Sequence, residues 1–157
     1  IHGLAGWRVA EALTTALRDN PQYVALYYAR ALAYANYDTS RWPDALADLR
    51  RAVQLYPYAY YINLALGDLA RRMEQFDVAA AADETVRRVA PGEVAPMVNL
   101  ARDYKGLGQQ DEAVALLRQA LAIDPQHVEA QSLLQLLGVG VSPPSDSQNA
   151  DDGTNQR

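Results

Sequence analysis

The sequence predicts an all-α fold, a right-handed α-solenoid of stacked antiparallel helix pairs with about eight helices. Three observations carry that prediction. Prolines punctuate the chain at Pro21, Pro57, Pro91 and Pro125, with steps of 36, 34 and 34 residues, and each follows an apolar helical run. A fixed period in this range marks a repeat array, because one helix pair cannot bury its own apolar face and must stack on copies of itself. Small residues recur at the same interval: Ala31, Gly67 and Ala101; Ala45, Ala79 and Ala113; Ala16, Ala52 and Ala120, with Val86 in the last column. Small side chains are needed where helix axes approach closely, so such columns fix the crossing points. Finally, half of the 157 residues are apolar, many of them alanine, which favours closely packed helices.

In chain order the pattern places helices at about 6–19, 22–36, 41–55, 58–72, 75–89, 93–106, 109–123 and 126–137. The first is the second helix of a preceding half repeat (1–23). Three full repeats follow over 24–59, 60–93 and 94–127, and the last helix caps the stack over 128–138. Two extra residues in the first repeat fall between Tyr37 and Pro43. There Ser40 is expected to cap the next helix, and Pro43 is tolerated in its first turn, where the amide has no intrahelical acceptor. Between the small residues lie larger columns, Leu13, Leu49 and Leu117 in one, Tyr34 and Tyr104 in another. From Gly138 the character changes. The segment 139–157 holds Ser142-Pro143-Pro144-Ser145 and no aromatic residue, and it is expected to be a disordered tail.

These columns resemble the tetratricopeptide repeat, a 34-residue helix-turn-helix unit. The third copy matches best: Met97 in the bulky place, Leu100-Ala101, Tyr104, Gly108 in the turn, then Ala113, Leu117, Ala120 and Pro125. The second keeps Leu66-Gly67, Ala79 and Pro91 but departs at Asn63, Ala70 and Asp83. The first has Arg30 where leucine is usual. The chain starts at Ile1 rather than methionine, in mid-repeat, so it is expected to be a piece of a larger, bacterial protein.

Composition narrows the function classes. There is no cysteine, which removes disulfides and thiolate metal sites, and no cofactor or metal is expected. A net charge of −5 argues against a general nucleic-acid binder. No stretch approaches the ~20 apolar residues that span a bilayer, so this segment itself is expected to make no membrane contact. Compartment stays open between cytoplasm and periplasm. Catalysis is not expected either. The carboxylate pairs Asp83/Glu84, Asp111/Glu112 and Asp151/Asp152 are adjacent, and helical neighbours diverge by about 100 degrees. His127 sits alone in a turn. Asp83 occupies a leucine column, and the local helix is expected to rotate and show it to solvent, the alternative being a buried, hydrogen-bonded carboxylate.

The resemblance implies a concave groove lined by the first helix of each pair and suited to a peptide. Helical spacing then writes out that face. The first repeat offers Tyr28 and Leu32 beside Ala25, Ala35 and Asn36. The second offers Tyr61, Leu64, Asp68, Arg71 and Arg72, and the third Asn99, Arg102 and Lys105 beside Ala95 and Val98. The face runs from aromatic to basic, so the expected ligand is a protein or peptide, acidic or carboxylate-bearing. The carboxylate clamp of chaperone-binding members is absent: its positions read Tyr28, Leu32, Ala65, Ala95 and Asn99. The leading function is therefore a protein–protein interaction scaffold. The alternatives are an extracytoplasmic accessory domain of a bacterial membrane-bound envelope glycan ligase or polymerase, and a self-associating module forming a homo-oligomer. Exchanging Arg71 and Arg102 for glutamate is expected to abolish binding without unfolding the domain.

Overall fold

A computed structural model describes residues 2–140, with side chains from Gly6 onward; from residue 141 the expected tail lies outside the described residues. Eight α-helices and no strand occur among them: α1 His2–Asp19, α2 Val24–Tyr37, α3 Trp42–Leu55, α4 Tyr60–Arg72, α5 Phe76–Val89, α6 Val94–Gly106, α7 Gln110–Ile123 and α8 Val128–Leu136. Each packs mainly on its neighbour in sequence, and α6 also reaches α8. No described helix is long and apolar enough to cross a membrane.

The prolines act as turn formers. Asn20, Tyr56, Ala90 and Asp124 each precede a proline, and the carbonyl of each accepts from the amide three residues on, at 3.1, 3.3, 3.1 and 3.2 Å. Proline in the second position of such a turn has its φ preset and needs no donor. A second bond locks three of these turns. Tyr27 Oη, Asn63 Nδ2 and Gln131 Nε2, each six residues past a proline, donate to the carbonyls of Pro21, Pro57 and Pro125 at 3.1, 2.8 and 2.8 Å. Met97, in the same column, cannot. Asn63, which departs from the repeat pattern, thus holds its turn.

Within a pair the chain reverses through a left-handed residue. At the ends of α4, α6 and α8 the amides of Gln75, Gln109 and Val139 reach back to Ala70, Tyr104 and Leu134 at 2.9, 2.8 and 3.0 Å. The residues before them carry φ of 58° at Glu74, 77° at Gly108 and 74° at Gly138. This is the Schellman end, and it wants glycine. Glu74→Gly is accordingly expected to raise stability by about 1 kcal/mol, read as a higher unfolding midpoint in denaturant.

The two extra residues of the first repeat form a 3₁₀ turn, Thr39–Arg41. Its cap is Asp38, whose carboxylate accepts from the Ser40 amide at 2.9 Å; Ser40 does not cap α3, because its hydroxyl is itself turned to Asp38 at 2.6 Å. Arg41 leaves that turn to lie over the Tyr34 ring, 4.5 Å from its centroid. His127 caps α8, its Nδ1 accepting from the Ala130 amide at 3.3 Å.

The core follows the columns. Ala31, Ala45, Ala52, Ala79, Val86, Ala113 and Ala120 are wholly buried, and Leu49 and Leu117 fill the spaces between them. Burying such side chains stabilises the stack by about 25 cal/mol per Å² of apolar surface removed from water.

Candidate peptide-binding groove

The first helices of the pairs, α2, α4, α6 and α8, share one side of the stack, and their exposed residues divide into two zones. On α2 and α4 the zone is apolar. Tyr61 is 71% exposed and Leu32 36%, with Tyr28 and Leu64 half-buried beside them. Tyr61 stands edge-on to Tyr60 at 5.1 Å between ring centroids. Tyr60 in turn donates to Glu93 at 2.6 Å across the next turn, and that hydrogen bond pushes the phenol up to about 12.

On α4 and α6 the zone is charged, and the structure redistributes the charges expected there. Arg71 turns inward, its side chain only 16% exposed. Its guanidinium donates to Asp103 on α6 at 2.7 Å, to Asp68 one turn back at 3.0 Å, and to Asp83 on α5. Asp83 and Asp103 are fully buried. The expectation that α5 rotates Asp83 into solvent is therefore corrected: it stays in the leucine column, facing α4, and Arg71 comes to meet it. Room is made by Gly67, where a Cβ would stand 2.7 Å from Asp83 Oδ1. That oxygen has no hydrogen-bond partner. Burial, and next the Asp103 charge against the pull of Arg71, push the Asp83 carboxyl up to about 8; burial also raises Asp103.

Arg102 is occupied as well. It donates to Asn99 Oδ1 at 3.2 Å and pairs with Glu129 on α8. Burial and the neighbouring Arg71 lower its pKa. Around Arg71 and Arg102 thus stand four carboxylates, Asp68, Asp83, Asp103 and Glu129, so this zone is not a free basic patch. Arg72 and Lys105 remain exposed at its edge with no ion pair among the described residues, and Asp68 is exposed. Val98, written onto the same face, is buried against the α6–α8 core. With Arg71 in this position, the Arg71→Glu and Arg102→Glu pair cannot serve as a binding test: it would bury a further carboxylate among those present and unfold the stack.

Asp103 is the residue that the sequence left unremarked, although its column elsewhere holds Ala33 and Leu69. The signal was available in pairs. Arg30 stands in a leucine column and Asp48 shares a column with Ala82 and Leu116; the two meet in a bidentate pair at 2.7 Å, with Thr14 on α1 accepting from the same arginine at 2.9 Å. The hydrogen bond to Asp48 raises the Arg30 pKa. Charged intrusions in this core come with an opposite charge on an adjoining helix, whereas the neutral Asn63 is satisfied by backbone carbonyls.

Stacked antiparallel pairs with an open inner face define a helical-repeat scaffold. Two models of the tetratricopeptide repeat match, over residues 7–60 and 95–127, and the chain belongs to that family. Cellulose synthase operon protein C of Pseudomonas fluorescens (strain SBW25) is 32% identical over 133 residues, which cover 75% of this chain and 10% of that protein. Interferon-induced protein with tetratricopeptide repeats 2 of Cricetulus griseus is 29% identical over 76% of this chain and 26% of its own length. The chain thus spans only 10% and 26% of the length of these curated relatives. Among solved structures, MamA from Desulfovibrio magneticus RS-1 superposes with a TM-score of 0.74 over 85% of this chain and 74% of that one, at 18% identity. The first repeat domain of Spaghetti, bound to the HSP90 peptide SRMEEVD, gives 0.63 over 74% and 91%, at 14% identity. Likeness at these identities concerns the fold.

Proposed function

We propose that this chain is a protein-interaction scaffold that receives a peptide or partner segment on its inner face. The observation that carries the reading is the apolar zone of α2 and α4, where Leu32 and Tyr61 stand exposed beside Tyr28 and Leu64. Exposed tyrosine with an apolar neighbour gives large contact area with a polar tip, the usual composition of an interface anchor. The compensated charges of the second zone change the expected ligand. An apolar or aromatic side chain occupies the Tyr28–Leu64 zone, and a carboxylate further along meets Arg72 and Lys105. Spaghetti, which holds SRMEEVD in the same fold, supports the ligand class.

The test is affinity capture from the source cell with the wild-type chain and with a Leu32→Glu, Tyr61→Ala variant. Both changes are on exposed positions, so the fold persists. The expected result is loss of the specific partners, with an affinity deficit of tenfold or more, since anchors of this kind cost about 2 kcal/mol when truncated. Identical capture profiles would count against the groove.

A second reading rests on a separate observation. The bacterial relative is named for a cellulose synthase operon, and it aligns over three quarters of the chain. That supports the chain being an accessory domain beside an envelope glycan polymerase, with the groove docking another component of the assembly. Fractionation that finds the parent protein only in the cytoplasm would remove it.

A further inference from the structure

The face opposite the groove carries a crevice of about 530 Å³ between α3 and α5, with α4 as its floor. Its existence follows from two columns in which the second repeat has small residues. Where the first and third repeats place Tyr27 and Met97, the second has Asn63. Asn63 is short, and its amide nitrogen is drawn back to the carbonyls of Pro57 and Ala59 at 2.8 and 3.0 Å. Where the other repeats have Asp48 and Leu116, the second has Ala82. Both substitutions empty the same space, and Asn63 and Ala82 both line it.

The crevice runs the length of α5. Asp77 lines one end and Arg88 the other, eleven residues apart, or about 16 Å along the helix. Both are exposed, and neither takes part in an ion pair among the described residues. Between them the lining is mostly apolar, Asn63 and Thr85 being the polar exceptions, with Tyr58 on the rim, itself 68% exposed.

We propose that this crevice is a second recognition site, for an extended segment of about five residues that carries a basic side chain at one end, an apolar one in the middle and an acidic one at the other. The basic side chain meets Asp77, the acidic one meets Arg88, and the apolar one enters the space above Asn63 and Ala82. In an extended backbone of about 3.3 Å per residue the first and fifth side chains share one face and lie about 13 Å apart, and the reach of a lysine and a glutamate covers the remaining few ångströms. The site is separate from the inner-face groove and does not depend on it.

The test is an NMR titration of the whole chain with a capped Lys-Ala-Leu-Ala-Glu peptide, and with the same peptide carrying aspartate in place of leucine. The expected result is saturable shifts at the amides of Val78, Ala81 and Thr85 with the first peptide only. An Asn63→Met, Ala82→Leu variant places the third repeat's residues in the cavity and is expected to weaken binding at least tenfold. Ala81→Arg, an exposed helical position on the rim, blocks the crevice without touching the core and is expected to do the same. Leu32→Glu with Tyr61→Ala is expected to leave it unchanged. Shifts confined to the inner face, equal binding by the filled and rim variants, or no saturation into the millimolar range would each overturn the proposal. So would shifts that grow with protein concentration before any peptide is added, which would assign the crevice to a second copy of the chain.

Discussion

Replacing Arg71 with methionine is expected to cost about 3–5 kcal/mol, the range for removing one partner of a buried ionic cluster. Methionine keeps the volume and the helix propensity, so the loss isolates the charge. What remains is Asp83 on α5 and Asp103 on α6, both fully buried, without the guanidinium that joined them. A domain with ordinary stability of 5–15 kcal/mol is then close to unfolding. Thermal unfolding by circular dichroism would show it, and a midpoint within a degree or two of wild type would contradict the assigned geometry. Asp83→Leu is the informative partner. Leucine has nearly the shape of aspartate and fills the same column at Leu49 and Leu117, so this change is expected to be far milder than Arg71→Met.

The second large effect is on pH dependence. Burial holds the Asp83 carboxyl up at about 8, against an ordinary carboxylate value near 4 in the unfolded chain. Between those values the folded chain binds a proton that the unfolded chain does not. The contribution of Asp83 is thus fully present below the unfolded value and is lost as pH rises through about 8. Asp103 is shifted in the same direction and adds to the trend. Stability is expected to fall by several degrees in Tm from about pH 5.5 to about pH 8.5, with a slope of at most ~1.4 kcal/mol per pH unit from one group. Asp83→Asn cannot titrate, and a series of melts across that range is expected to flatten in this variant. An unchanged slope would place the proton elsewhere.

Much of the fold was legible because the repeat imposes redundancy. Four prolines, three small columns, a leucine column and a tyrosine column all reported the same repeat, so a departure in one did not obscure the others. The ends of α4 and α6 fall at 72 and 106, where the spacing put them; the left-handed residue beyond was legible at Gly108, which glycine marks, and not at Glu74, where an L-residue adopts the same conformation. The 3₁₀ turn at Thr39–Arg41 was not foreseen, because the choice between Asp38 and Ser40 as cap depends on which side chain faces the turn.

The site was harder to read for a physical reason. Helical spacing tells which face a residue starts from, whereas a long side chain chooses its own destination. Arg71 begins on the groove face and ends among carboxylates on α5 and α6. Arg102 begins beside it and ends against Glu129 on α8. Tyr61 and Leu32 are exposed, as that face requires, whereas Val98, written onto it too, is buried against the α6–α8 core. Asn63 shows the reverse case. It looked like a defect in the pattern until the turn carbonyl it holds was seen.

The Arg71 cluster also alters how the array comes apart. In a repeat stack each unit touches only its neighbours, so opening normally begins at either end and spreads. Arg71 ties three consecutive helices, α4, α5 and α6, through side chains that lose their partners together. Those helices are therefore expected to yield together, and α1, α2 and α3, joined by Arg30 through Thr14 and Asp48, as a second block. Tyr61 and Leu64 belong to the first block, and Tyr28 and Leu32 to the second. A ligand in the proposed groove that spans both would close the seam between two blocks that otherwise open separately.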